Sequence, residues 1–437
     1  ETTIIDGGAD TTFNEGTGVV SFTSGETNTA MLKNFTIQNG TNFRGGGLVI
    51  TASPTIKNLI IKNNSALTGG GVHIRTGDPI FNNVDFFNNV SIVDYDGYSL
   101  GANGGALSVA DGSQSIFTNC TFAGNRSGGS GGGAYVETAT PNFINVNFYE
   151  NNSAIEGDGL VLSSGSTVDV TNSIFWSNNP EQILFQSDGD ANSLTVAYSN
   201  IQGGQDSIVT NNNGTVTWGA GNIDVNPMFV DTANGNYHLK DWSQAIGAGT
   251  ASGAPTTDIE GNLRPNPAGS NPDMGAYENK WGTPQNAPPV LSEIADVSVN
   301  EDESIIITLE AINADSADND DITFSASSEK SEVKLNVGSS SGEVNISADE
   351  NWNGSSIITV YASDGKDIDS TKFSLKVNPI QDAPYAFEWV STASDTINIS
   401  QSNLADTYEL KWSESKDVDG ETIDYLLHVQ IGIYPAE

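Results

Sequence analysis

The sequence predicts an all-β protein in which a right-handed parallel β-helix precedes β-sandwich domains, and three observations predict it. Of the 437 residues, 47 are glycine, and the β-branched residues fall in short runs between Asn, Ser and Gly, which implies many short strands and tight turns. A hydrophobic-x-Asn pattern recurs through the first 200 residues at intervals of about one solenoid coil. Past residue 288 the pattern changes to alternating strand segments separated by turn residues.

The repeat is read from "LKNFTIQNG", "IKNLIIKNN", "FNNVDFFNN", "FTNCTFAGN", "FINVNFYEN", "VTNSIFWSN" and "AYSNIQGG". Its asparagines are Asn34, Asn58, Asn83, Asn119, Asn145, Asn172 and Asn200, at spacings of 24, 25, 36, 26, 27 and 28 residues. A second marker, "GGGLVI", "GGGVHI", "GGALSV", "GGGAYV" and "GDGLVL", opens a strand in each coil. So many glycines exclude a helical solenoid, and stacked coils about 4.8 Å apart place equivalent residues in ladders. The asparagines are then a ladder of turn amides. Phe86, Phe122, Phe148 and Phe175 form a stacked core. Cys120, the one cysteine, falls at a core position, so no internal disulfide forms.

Residues 226–282, rich in Pro, Gly and Asn, are expected to cap the β-helix formed by residues 1–225, because a solenoid end exposes strand edges. "TPQNAPPV" reads as a linker into a sandwich over 283–383. Residues 384–437 read as a second, incomplete sandwich of a longer parent chain. The opening "ETTIIDGG" starts on a strand, as expected of a processed or truncated N-terminus.

The formal charge is −39. Residues 1–282 carry 26 acidic and 9 basic side chains, and residues 283–437 carry 29 and 7. Such a surface repels nucleic acid and anionic lipid, and no stretch is long and apolar enough for direct membrane insertion. It attracts divalent cations, calcium above all, through carboxylate and amide oxygens. Plain solubility is the alternative reading of the acidity.

Strand alternation puts Leu48, Val72, Leu107, Ala134 and Leu160 inward, and Val49, His73, Arg75, Ser108, Tyr135, Glu137 and Val161 outward. The 36-residue step adds "VSIVDYDGYSLGAN" beside them. His73, Tyr95, Tyr98 and Tyr135 are the candidate glycan-binding residues, since aromatic faces beside polar groups suit sugar rings. Arg75, Glu137, Asp94 and Asp96 are the candidate catalytic set if the protein is a polysaccharide lyase or glycoside hydrolase, with Asp111 a further cation ligand. An ordinary surface ion pair is the alternative.

Three resemblances follow. "GGAL" at Gly104 with the tetrapeptides "FFNN", "FAGN", "FYEN" and "FWSN" resembles the repeats of chlamydial polymorphic outer-membrane proteins, which are adhesins. "NPMF", "SQAIGAG", "DIEGNLR" and "DMGAYE" resemble the terminal signature of secreted β-helix proteins of the choice-of-anchor Q type, with Asp258, Gly261, Arg264, Asp273 and Gly275 retained and Asn226 replacing an Asp. "NEDESIIITLEA", "NWNGSSIITVYASDG" and "NPIQDAP" resemble cadherin-like tandem repeats of bacterial surface proteins, an immunoglobulin/cadherin-like sandwich. These resemblances imply an extracellular or cell-surface adhesin exported as in type IX secretion, with a cell-surface glycan or polysaccharide as partner. The cadherin-like resemblance places calcium ligands at Glu301, Asp318, Asp320, Asp364 and Asp382. Asp417 and Asp419 in "DVDG" add a D-x-D pair, although "QDAP" offers a single Asp. Solvated turn residues are the alternative reading of these carboxylates.

Overall fold

A computed structural model describes residues 3–8, 18–93, 101–313, 321–388, 390 and 410–427. The chain divides into two compact units, Glu1–Asn286 and Ala287–Glu437.

The first unit is a parallel β-solenoid with sheets of 13, 8 and 5 strands. Pairing advances by one coil at each step. Val84 sits between Leu59 and Cys120, and Phe86 between Ile61 and Phe122. The core is filled by stacked rings: Phe86, Phe122, Phe148 and Phe175 follow one another at centroid distances of 4.4, 4.5 and 4.5 Å. Phe81, Phe117 and Phe143 form a second stack at 4.8 and 5.0 Å. Cys120 is fully buried among them, and burial pushes its thiol far up, which makes it inert. A Cβ on Gly70, Gly105 or Gly132 would collide with the backbone of the following coil, so the paired glycines of the repeat are a steric requirement of the stacking.

Two asparagine ladders run along the axis. The first is the one expected from the repeat: Asn34, Asn58, Asn83, Asn119, Asn145 and Asn172 all have φ between 51° and 63°. Asn58, Asn83 and Asn119 each donate to the preceding Asn Oδ1 at 3.0 to 3.2 Å. Asn200 does not belong to it. That residue pairs with Ile174, and Tyr198, with φ 49°, takes the turn position, because the last coil shifts the motif by two residues.

The second ladder consists of Asn64, Asn89, Asn125, Asn151 and Asn178, the final residues of the repeated tetrapeptides, and it is buried. From Asn64 to Asn151, each backbone N–H and each Nδ2 donates to the Oδ1 of the next member. Each Nδ2, that of Asn178 included, also donates to a core-strand carbonyl, from Ile37 through Phe148. This ladder satisfies the backbone at a buried corner where no sheet does so.

Residues 226–282 pack against the flank of the solenoid rather than across the open face of its last coil. Asn119, Asn145 and Asn172 donate to the carbonyls of Thr257, of Asp273 and Gly275, and of Thr250. Apolar contacts seal the same face, with Ile174 against Leu239, Ile246 and Met274, and Phe87 and Tyr149 beside Tyr237. The expectation of an end cap is corrected by these contacts. The segment needs the outward amides of the middle coils, which a strand edge does not offer.

Asp85 lies under this segment with Oδ1 sealed from solvent, and Thr121 Oγ1 is sealed beside it. Burial, then the charge of Glu260, pushes the Asp85 carboxyl up to about 7. A raised carboxyl contributes stability that is complete below its unfolded value, about 3.9, and is lost as pH rises through the folded value. Asp85→Asn, which keeps the shape of the protonated acid, is therefore expected to raise the melting temperature at pH 8 and leave it unchanged at pH 4. A pH-independent difference in paired thermal melts would refute the assignment.

The second unit contains a sandwich of a four-stranded and a three-stranded sheet. The four-stranded sheet orders Val297–Asn300, Ile368–Asn378, Gly354–Ser363 and Thr323–Ser328; the other orders Ser304–Thr308, Glu343–Ala348 and Val333–Val337. Val344, Ile346, Ile358, Val360, Phe373 and Leu375 fill the space between them. Beyond residue 383 the described residues form no strand of a second sandwich. They do form a short antiparallel pairing, in which Tyr385, Val390 and Ser413 donate to the carbonyls of Lys416, Lys411 and Glu388.

Candidate metal centre

Three carboxylates converge in the second unit. The strand Val297–Asn300 runs parallel to Ile368–Asn378 and ends level with it, so Glu301 lies beside the chain leaving the sandwich. Glu301 is 1% exposed; Oε1 accepts from the Ile380 N–H at 2.8 Å and Oε2 from Asn353 Nδ2 at 3.1 Å. The pairing of 385–390 with 411–416 then carries the "DVDG" turn back to residue 382. Asp417 Oδ1 accepts from the Asp419 N–H at 2.9 Å, and Asp419 Oδ2 accepts from the Asp382 N–H at 2.7 Å.

As a result, one carboxylate oxygen each from Glu301, Asp382 and Asp419 lies within 4.8 Å of the others. Asp382 Oδ2 is shielded from solvent and has no hydrogen-bond partner among the described residues. Burial first, then the charges of Asp302, Asp419, Glu301 and Asp417, holds the Asp382 carboxyl above the usual range. Oxygen-only donors of this density suit a hard divalent cation, which would neutralise the repulsion.

The other expected ligands lie elsewhere. Asp364 caps its own turn, accepting from the Lys366 and Asp367 N–H groups at 2.8 and 2.7 Å. That turn is at the opposite end of the strand Ile368–Asn378 from Glu301, about 30 Å away at the rise of an extended strand. Asp318 and Asp320 lie outside the described residues.

On the β-helix, the expected outward face is largely covered. His73, Ser108 and Tyr135 are 7, 4 and 6% exposed, and Tyr135 packs with Val161 and Leu184. Alternation keeps these residues out of the core stack, but the expectation that they face solvent is corrected, because side-chain packing on that side of the sheet covers them. Tyr135 donates its hydroxyl to Gln186 Oε1 at 2.8 Å, and burial pushes it up to about 12. Burial, with the charges of Arg44 and Arg75, holds the His73 imidazole down at about 4, so it is neutral. Neither ring offers an open stacking face. Arg75 and Asp111 form an exposed ion pair at 3.4 Å. Glu137 is exposed two coils from Arg75, about 10 Å along the axis. Asp94, Tyr95, Asp96 and Tyr98 lie outside the described residues.

The residues Asp258, Arg264 and Asp273 build a structural staple with Glu278. Arg264 donates to Glu278 Oε2 at 2.8 Å, to Asn119 Oδ1 at 2.9 Å and to the Gly275 carbonyl at 3.0 Å. Asp273 accepts from the Gly247 and Asn279 N–H groups, and Asp258 from those of Glu260, Asn262 and Glu278. All four side chains are at most 5% exposed. Sequence reasoning quoted the motif without seeing this role, because the Asn119 partner is 145 residues away.

Comparison with known proteins gives two findings. Residues 286–376 match the family model of the bacterial Ig domain, which supports an Ig domain where the sequence resembles a cadherin-like repeat. A solved structure of a provisionally assigned alpha-galactosidase from Bacteroides fragilis is similar over 21% of this chain, at 11% identity and a TM-score of 0.17. The chain spans only 18% of that protein's length. No curated protein matches this chain.

Proposed function

We propose that this is an extracellular or cell-surface binding protein whose β-helix presents a glycan- or surface-binding flank and whose Ig-domain unit is stiffened by calcium. The parallel β-helix and the bacterial Ig domain fit a surface or extracellular protein, and among the described residues no helix is long and apolar enough to cross a membrane. The observation that carries the calcium half is the convergence of Glu301, Asp382 and Asp419 at one end of the sandwich. Glu301 lies between the strands Val297–Asn300 and Ser304–Thr308, Asp382 follows the last sandwich strand, Ile368–Asn378, and Asp419 belongs to the next segment, so a bound cation ties three stretches of chain together. The adhesin role, export by type IX secretion and the choice-of-anchor Q and cadherin-like resemblances belong to the same reading. The enzyme alternative has less support, since Arg75 forms an exposed ion pair with Asp111 and Glu137 lies two coils away.

Calcium at 1 mM is expected to raise the melting temperature of the second unit by several degrees, and the rise is expected to disappear in Asp419→Asn. A binding energy of about 2.7 kcal/mol is available at a hundredfold excess over Kd. An unchanged melt at millimolar calcium would refute the calcium half and leave the β-helix reading standing.

A further inference from the structure

The turn immediately before the buried asparagine ladder is left-handed in seven successive coils, at Asn39, Asn63, Asn88, Gly124, Glu150, Ser177 and Gly203, with φ between 48° and 80°. Asn and Gly tolerate this conformation; Glu and Ser do so less well. The two exceptions are neighbours, and both line one open cleft of about 570 Å³ together with Pro180, Gln182, Gln202 and Ser207. Gln202 Oε1 accepts from the Ser177 N–H at 2.7 Å and from Gln182 Nε2 at 3.3 Å, which fixes the strained turn and leaves its own Nε2 to donate. Thr138, Ser164 and Tyr198 are left-handed elsewhere in the solenoid, so what marks this pair is that the two turns lie side by side and aim a carboxylate and a hydroxyl at one cleft.

We propose that this cleft is a binding subsite for an uncharged saccharide, an assignment that rests on the reading of the β-helix as a glycan-binding element. A carboxylate accepts two hydroxyl groups of a vicinal diol, and amide and hydroxyl groups at its side supply donors. Among the described residues no Lys or Arg lines the cleft, and the chain carries −39, so Glu150 and the surrounding field disfavour uronates and sulfated sugars. The site lies apart from the covered face of His73 and Tyr135.

The test is calorimetric titration of the intact chain with cellohexaose, mannohexaose, maltohexaose and β-1,4-galactohexaose, with polygalacturonate as the acidic probe. At least one neutral oligomer is expected to bind at millimolar or tighter affinity. Glu150→Asn is expected to weaken it at least tenfold while the melting temperature stays equal or rises by roughly 2 °C, because Asn relieves the turn. Glu150→Gln, which keeps size and removes charge, is expected to show the same loss. Binding of no neutral oligomer, or unchanged binding in both variants, overturns the proposal. Binding of polygalacturonate alone also overturns it, yet leaves the broader glycan-binding reading intact.

Discussion

Arg264→Ala is expected to destabilise the β-helix unit by about 3 to 5 kcal/mol, the usual cost of removing one partner from a buried ion pair. The guanidinium is enclosed, its Nε bonded to Glu278 and its terminal nitrogens to Asn119 and the Gly275 carbonyl. Without it, Glu278 keeps only backbone donors, and Asp273, already held above the usual carboxylate range by burial and by Glu278, loses its nearby cation. The segment 226–282 also loses one of its ties to the solenoid flank. Urea unfolding measures the loss, and limited proteolysis is expected to cut first within that segment. A loss below about 1 kcal/mol, the range of surface ion pairs, would show that the staple does not hold the segment.

Asn125→Ala is the second large effect. Its Oδ1 accepts from Asn89 N and Nδ2 at 2.9 and 3.0 Å, and its Nδ2 donates to the Phe86 carbonyl and Asn151 Oδ1, both at 2.9 Å. Truncation leaves buried donors on Asn89 and buried acceptors on Phe86 and Asn151 with fewer partners, each at about 1 to 3 kcal/mol when fully orphaned. A total of about 3 to 5 kcal/mol is expected by urea unfolding. Asn58→Gly, in the exposed stretch of the first ladder, is the matched control. Its amide faces solvent and glycine keeps the left-handed turn, so a change within about 0.5 kcal/mol is expected. Equal losses at the two sites would contradict the distinction between the ladders.

The solenoid was legible because each coil repeats the same steric demands: paired glycines where coils touch, phenylalanine in the core, asparagine at a left-handed turn. Asn200 misled because it keeps the letter of the motif but shifts its position, which only the strand register exposes. Periodicity separates the two sides of a sheet and so sets His73 and Tyr135 apart from the core stack, but the expectation that they face solvent does not hold, since both are buried. What covers that side is decided by tertiary packing. The same holds for the carboxylates: Glu301, Asp382 and Asp419 become neighbours only through the pairing of 385–390 with 411–416, whereas Asp364, in an equally acidic turn, is used up by its own backbone. The terminal tetrapeptide asparagines were visible as a resemblance, but nothing in a linear pattern distinguishes an amide that satisfies the core from one that faces water.

The proposed calcium centre in the Ig-domain unit can be measured by titrating calcium into the metal-free intact chain by calorimetry. Saturable binding is expected, and Asp382→Asn is expected to remove one equivalent while the sandwich remains folded. An unchanged isotherm in Asp382→Asn, or no calcium uptake at all, would contradict it.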